Sequence, residues 1–197
     1  MTTFKALESS KEEDQNTLSI IEKNIDNLPD GDILIKVSYS SLNYKDALSA
    51  TGSPGVTKNY PHTPGIDAVG HVQESSDSAF KEGDVVIVTG YDLGMNTAGG
   101  FGQYIRVPAH WVIKLPNGLN EIEAMSLGTA GLTAGLSIQA LEKYSSTTGF
   151  EGSKSIVTGS TGGVGSIAVM LLSKLGSEVT AVTVSYTHLR AHETTPH

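Results

Sequence analysis

The chain has 197 residues, 38% of them hydrophobic and 17% charged, an ordinary balance for a globular protein with a true core. Its formal net charge of −8 excludes the clustered basic surface that a nucleic acid or an anionic membrane needs. Cysteine is absent, which rules out disulfides, thiolate catalysis and cysteine-ligated zinc.

Residues 1–120 read as β-rich. No run in the chain approaches the ~20 apolar residues of a membrane span, and Met1-Thr-Thr-Phe-Lys-Ala-Leu-Glu8 has neither the basic start nor the apolar run of a signal peptide, so a cytoplasmic location is expected. After the turn chemistry of Leu28-Pro-Asp-Gly31, the segment Ile33 to Ser40 alternates like a half-buried strand, with Leu34, Lys36 and Ser38 on one face. Further strands are predicted at Asp67 to Gln73, at Val85 to Thr89 behind the turn Lys81-Glu-Gly-Asp84, at Tyr104 to Pro108 and at Trp111 to Pro116. Short strands between Gly- and Pro-containing turns suggest a compact, β-barrel-like domain.

The texture changes near Asn120. Apolar residues at Ile122, Met125, Leu132, Leu136 and Ile138 predict two helical pieces interrupted around Gly128-Thr-Ala-Gly131, where small residues permit a close approach. Lys154 to Thr158 reads as a strand, Gly159 to Gly165 as a loop, Ser166 to Leu175 as a helix with Gly176 as its C-terminal cap, and Val179 to Thr183 as a second strand. This is the opening βαβ unit of a doubly wound parallel sheet.

Within it, Gly163-Val-Gly-Ser-Ile-Ala168 fits G-x-G-x-x-A directly after a strand and at the start of a helix. In that reading Gly163 allows a tight turn, Gly165 lets backbone N–H groups approach a pyrophosphate, and Ala168 lets the helix pack on the strand. Residues Ser160, Thr161, Gly162, Gly163, Val164 and Gly165 are the candidate cofactor cradle. The ligand-free alternative is a helix-opening glycine turn. Nucleotide choice is read about 20 residues beyond the first glycine, which falls on Thr183, so this sequence does not separate NADH from NADPH. The loop also fits the short-chain dehydrogenase pattern Thr158-Gly-x-x-x-Gly-x-Gly165. That reading fails on position, and none of the seven tyrosines has a lysine four residues on.

The last segment breaks every earlier pattern. Val184-Ser-Tyr-Thr-His-Leu-Arg-Ala-His-Glu-Thr194 resembles, residue for residue, the translation of a transposon-end adapter used in preparing sequencing libraries. Residues 184–197 are therefore read as a non-native tail, the alternative being a histidine-rich metal-binding end. The remaining histidines, His62, His71 and His110, have no metal-ligand spacing, and no metal site is expected. The native sequence then ends at Thr183, inside the dinucleotide domain, and the chain as it stands is expected to turn over no substrate. The expected organisation is 1–120 as a catalytic domain, 121–183 as an incomplete dinucleotide-binding domain, and 184–197 as tail.

A β-rich domain followed by this βαβ unit resembles the medium-chain dehydrogenase/reductase superfamily. Ser41-Leu-Asn-Tyr-Lys-Asp-Ala-Leu48, Pro61-His-Thr-Pro-Gly-Ile-Asp67, Gly99-Gly-Phe-Gly-Gln-Tyr104, Gly128-Thr-Ala-Gly-Leu-Thr-Ala134 and Thr158-Gly-Ser-Thr-Gly-Gly-Val-Gly165 resemble its zinc-free quinone-oxidoreductase branch, which includes acryloyl-CoA reductases. The likeness covers nearly all of 1–183. It implies a GroES-like β-barrel domain followed by a truncated Rossmann sheet, and a small-molecule substrate with no nucleic-acid or membrane partner. A homodimer of the full-length form is compatible with it. The zinc-dependent cousins carry a cysteine where this chain has Asn43 and a histidine where it has Ile66, so both catalytic-zinc ligands are replaced. Without a Lewis acid, conjugate reduction of an activated alkene is favoured over direct carbonyl reduction.

The resemblance implies hydride delivery from NADPH, with NADH not excluded, to the β-carbon of an α,β-unsaturated thioester. A quinone reductase and a non-catalytic nucleotide-binding relative are the alternatives. Tyr44 is expected over the nicotinamide as a neutral hydrogen-bond donor, or else as a packed turn tyrosine. Asn43 is expected to orient substrate or cofactor amide, or else to cap a turn. Lys45 and Asp46 are either functional or a solvated pair, and Asp67 is expected to fix the loop that holds Tyr44. Thr129 borders the cofactor or serves close helix packing. Tyr91 to Gly100 reads as a flexible active-site loop. His62 reads as a surface or turn histidine, and Trp111 as a core or interface residue.

Overall fold

The computed structural model describes residues 2–12, 15–53, 55–144 and 149–183, so the tail 184–197 lies outside the described residues. The chain divides into two compact units, Met1–Thr129 and Ala130–His197.

The first unit is built on a five-stranded antiparallel sheet. Its strands are β3 (Ile33–Tyr39), β4 (Asp67–Ser75), β5 (Val85–Thr89), β6 (Tyr104–Val107) and β7 (Val112–Lys114), in spatial order β6-β3-β4-β5-β7. All five were legible in the sequence. The run Val85-Val-Ile-Val reads as continuously apolar because β5 is covered on both faces. Val86 and Val88 join Ile33, Ile35, Val72, Ile105 and Val107 in the main core. Ile87 and Val69 point the other way, against Ala124 and Met125. Those two belong to α2 (Glu121–Tyr144), whose first turns therefore pack in the first unit.

Two elements were not anticipated. A long hairpin, β1 (Thr3–Glu12) with β2 (Gln15–Asn24), precedes the sheet. It is anchored where the Ser9 and His62 backbones exchange hydrogen bonds of 2.8 and 2.9 Å, and where the Ser9 hydroxyl donates to Ala50 O at 2.8 Å. The second is a two-turn helix, α1 (Tyr44–Ala50).

Helix α2 opens on a reciprocal cap. Glu123 N–H donates to Asn120 Oδ1 at 2.9 Å, and Asn120 N–H to Glu123 Oε2 at 2.9 Å. The helix breaks at Gly128, with φ 48° and ψ −152°, so the expected two pieces are present. In the second unit, β8 (Lys154–Thr158), α3 (Gly163–Lys174) and β9 (Glu178–Val182) form a parallel βαβ unit. Helix α3 starts three residues earlier than expected, at Gly163, and Gly176 follows it with φ 87°. Among the described residues no helix is long and apolar enough to cross a membrane.

Candidate functional site

In the first unit the sequence-predicted residues gather on one buried carboxylate. Asp67 opens β4 and is wholly buried. Its Oδ2 accepts from Ser41 Oγ at 2.5 Å, Asn43 Nδ2 at 3.0 Å and Thr129 N at 2.9 Å, and its Oδ1 accepts from the Thr129 hydroxyl at 2.7 Å. Asn43 and Thr129, 86 residues apart in sequence, are thus joined through a single side chain. Gly128 is what permits it. Beyond its positive φ, a Cβ there would lie 2.7 Å from Asp67 Oδ2 and 3.0 Å from Ser41 Oγ.

Asn43 stands at the N-cap position of α1, but its amide nitrogen is turned to Asp67 and to Ser41 Oγ, 2.8 Å away. Asp46 supplies the reciprocal half of a capping box with Asn43. It is buried, not part of a solvated pair with exposed Lys45. Its Oδ2 accepts Asn43 N–H at 2.7 Å, and its Oδ1 accepts Ile66 N–H at 2.8 Å, which ties the start of α1 to the segment entering β4. Burial raises the Asp46 pKa above its ordinary value, against the lowering effect of the Asn43 and Ile66 N–H groups. Tyr44 is the first residue of α1 and is 80% exposed, with Leu42 beside it at 89%. Tyr44 is therefore not a packed turn tyrosine: its side chain is exposed, and the residue directly follows Asn43 of the Asp67 cluster.

The segment Tyr91 to Gly100 is tied down rather than loose. Leu93 is wholly buried in the main core, Asp92 accepts from Asn96 Nδ2 and Thr97 Oγ1, and Gly99 and Gly100 donate to Thr63 O and Gly65 O. His62 holds it from below: only 4% exposed, it donates from Nε2 to Gly94 O at 2.7 Å. The sequence placed this histidine at the surface because nothing local marks the hairpin that covers it. Trp111 is half-buried against the main core and stacks on exposed Tyr91 at 5.3 Å.

Burial is the largest effect on the His62 imidazole and lowers its pKa below 6.5, with Lys23 lowering it further and Gly94 O and Asp92 opposing. A lowered histidine binds its proton more readily unfolded than folded. Its stabilising contribution is complete above 6.5 and is lost as pH falls below that value. The thermal midpoint is expected to drop between pH 7.5 and pH 5, and His62→Gln should flatten that dependence. A slope identical in the variant would remove His62 from the account.

In the second unit, loop 159–165 turns at Gly159, φ 62°, where the sequence reading assigned the tight turn to Gly163. Gly165 is required for a different reason as well: a Cβ there would lie 2.3 Å from Gly159 O and 2.8 Å from Ser160 Cα. The helix start is pressed on its own loop, so the absent side chain is an internal packing demand. Ser160 is buried and gives both its N–H and its hydroxyl to Val182 O, at 3.3 and 3.1 Å. That clip places the end of β9, and half-buried Thr183 beyond it, next to the glycine loop. Thr161, Gly162, Gly163 and Val164 are exposed.

The first backbone bond closing α3 runs from Ser166 N to Gly162 O at 2.9 Å, and no side chain caps the helix. The N–H groups of Gly163, Val164 and Gly165 therefore have no acceptor within α3, and they sit at the positive end of its dipole. Such a start suits an anion of pyrophosphate size.

Residues 29–117 match the alcohol dehydrogenase GroES-like domain family. Over 182 residues the chain is 43% identical to YhfP of Bacillus subtilis, provisionally named a quinone oxidoreductase, covering 92% of this chain and 54% of that protein. It is 42% identical over 182 residues to the acrylyl-CoA reductase AcuI of Ruegeria pomeroyi, covering 91% and 54%. The chain thus spans about half the length of these curated relatives. Among solved structures, the yhdH oxidoreductase of Salmonella enterica in complex with NADP superposes with a TM-score of 0.89 at 39% identity, over 94% of this chain and 57% of that one. Bacillus subtilis yhfP with NAD bound gives a TM-score of 0.88 at 42% identity, over 96% and 57%. A GroES-like sheet followed by a glycine-loop βαβ unit defines a two-part dehydrogenase architecture. The chain is similar in sequence and fold to medium-chain dehydrogenase/reductase proteins, among them a quinone-oxidoreductase relative and an acrylyl-CoA reductase.

Proposed function

We propose that the full-length protein is a zinc-independent, NADPH-dependent reductase of activated alkenes, acting on an α,β-unsaturated acyl-CoA such as acryloyl-CoA. What supports this reading is found in each unit by itself: an uncapped, glycine-lined α3 start in the second, and in the first an exposed Tyr44 that directly follows Asn43 of the Asp67 cluster. The 42% identity to an acrylyl-CoA reductase supports the substrate class. NADPH is favoured by a relative solved with NADP, and NADH is retained as a second donor by one solved with NAD. The proposed location is the cytoplasm, which supplies both reduced nicotinamide and acyl-CoA.

The donor set at the position of the lost zinc does not suit a metal. Asn43 Nδ2 donates to Asp67, and the side chain of Ile66 is apolar and buried. When bound, the dinucleotide supplies the hydride. The backbone N–H groups of Gly163, Val164 and Gly165 would hold its pyrophosphate, with Ser160, Thr161 and Gly162 shaping the loop and Thr183 beside the ribose. Thr129 is proposed to border the nicotinamide end. The substrate gains negative charge on its thioester oxygen as its β-carbon is reduced. A neutral phenol donates to that oxygen without itself losing a proton, and Tyr44 is assigned that role.

Two measurements on the full-length protein test this. NADPH oxidation with acryloyl-CoA should exceed that with a simple quinone and should survive exhaustive chelation. Faster turnover of the quinone would select the quinone-reductase alternative, and loss of activity on chelation would refute the zinc-free assignment. Tyr44→Phe should lower kcat by about 10²-fold with cofactor affinity unchanged. An unaltered kcat removes the hydroxyl from the chemistry.

A further inference from the structure

We propose that Asp67 is a positioning residue of the reduction site, holding the Asn43 carboxamide and the Thr129 segment in one register through a single buried carboxylate. The inference rests on the reductase reading above. All four groups on the carboxylate are donors: the Ser41 hydroxyl, the Asn43 amide, the Thr129 N–H and the Thr129 hydroxyl. No lysine or arginine is among these four partners. A buried polar group held by aimed donors alone is a costly way to fill space, since apolar residues of similar volume pack as well or better. Gly128 gives up a side chain to admit it, for a Cβ would intrude to 2.7 Å from Oδ2.

Asn43 is held from one side. Its amide nitrogen lies 2.8 Å from Ser41 Oγ and 3.0 Å from Asp67 Oδ2, two acceptors that are themselves only 2.5 Å apart. This narrow grip fixes the orientation of the carboxamide, so Asn43 acts as a fixed guide. Asn43 immediately precedes Tyr44, so the same anchor fixes where α1 begins and where the phenol projects. Asp67 acts through Asn43 and Thr129, and Ser41 completes the circuit by accepting from Asn43 while donating to Asp67.

The test uses the full-length protein with Ser41→Ala and Thr129→Val, each deleting one hydroxyl from the circuit, and the hydroxyl-preserving Ser41→Thr and Thr129→Ser as controls. Hydrogen exchange at the Asn43 side-chain amide is followed alongside kinetics. The wild-type amide should be protected, and Ser41→Ala should remove that protection. In both deletions kcat should fall about tenfold or more while the NADPH dissociation constant stays within about twofold, and the hydroxyl-preserving variants should keep most of the wild-type kcat. A merely structural carboxylate would lower the thermal midpoint and leave kcat per folded molecule unchanged, which would overturn the proposal. So would an unprotected wild-type Asn43 amide. A wild-type protein that oxidises NADPH with no activated alkene would overturn the reductase reading itself, and the positioning role with it. An active wild type whose deletions are kinetically silent overturns only the role of Asp67.

Discussion

Gly165→Ala in the full-length protein is expected to weaken NADPH binding by about two orders of magnitude, or ~2.8 kcal/mol, an effect out of proportion to one methyl group. The size follows from what the methyl meets. Gly159 O would lie 2.3 Å from it, and Gly159 C and Ser160 Cα 2.8 Å, all of them backbone. Backbone does not step aside as a flexible side chain does, so either the helix start lifts or the Gly159 turn opens. Both outcomes displace the N–H groups of Gly163, Val164 and Gly165 from their common direction, and anion binding at a helix start depends on that convergence. Gly135→Ala on α2 is the matched control: it lies outside the glycine loop, and a Cβ there meets no heavy atom within 4 Å. Equilibrium titration of both variants, with circular dichroism to confirm retained structure, checks the contrast. Wild-type affinity in Gly165→Ala would mean that the glycine loop is not where the dinucleotide binds.

That contrast also marks what the sequence discloses and what it withholds. The pattern G-x-G-x-x-A, placed between a strand and a helix, located the loop, but it assigned the turn to Gly163 when the left-handed residue is Gly159. A motif states where small residues sit and is silent on which neighbour makes each one necessary. The five strands of the main sheet were legible because each is an apolar run bounded by turn residues. The hairpin β1–β2 was not, because polar residues fall on both of its faces and the backbone bonds that anchor Lys5, Leu7 and Ser9 come from Gln103, Phe101 and His62, far off in the chain. Helix α1 is seven residues long, too short for a 3.6-residue period to declare itself, though Asn43-Tyr-Lys-Asp46 has the spacing of a capping box and was open to that reading. The Asp67 cluster was glimpsed only as a loop anchor. Its donors come from 26 residues before to 62 residues after it in the chain, and no local pattern encodes such a meeting. The sign of His62 was likewise set by distant residues, since burial beneath the hairpin separates a neutral core imidazole from a surface one.

Limited proteolysis of the 197-residue chain is expected to cut within 149–183 at least about ten times faster than within the five-stranded sheet, leaving a resistant product of the first unit. The two units differ in how much apolar surface they hide. In the first, both faces of β4 and β5 are covered, and Ile33, Val69, Val72, Val86, Ile105 and Val107 are wholly buried. In the second, Ile156 in the middle of β8 is 73% exposed, Met170 on α3 is 61% exposed, and Val182 at the end of β9 is 43% exposed. A parallel sheet is ordinarily covered on both faces, and a two-stranded one has no central strand to protect. Among the described residues β8 pairs only with β9, so the outer edge of each strand keeps its backbone groups for solvent or protease. The cleft beside β8 is lined by Ile138, Leu141, Phe150, Ile156 and Leu172, apolar surface that costs free energy in water. Opening the second unit therefore gives up few buried contacts, and opening the first gives up a continuous core. Mass spectrometry of the early fragments reads the outcome directly. Equal protection of residues 149–183 would show that this apolar surface is covered in solution.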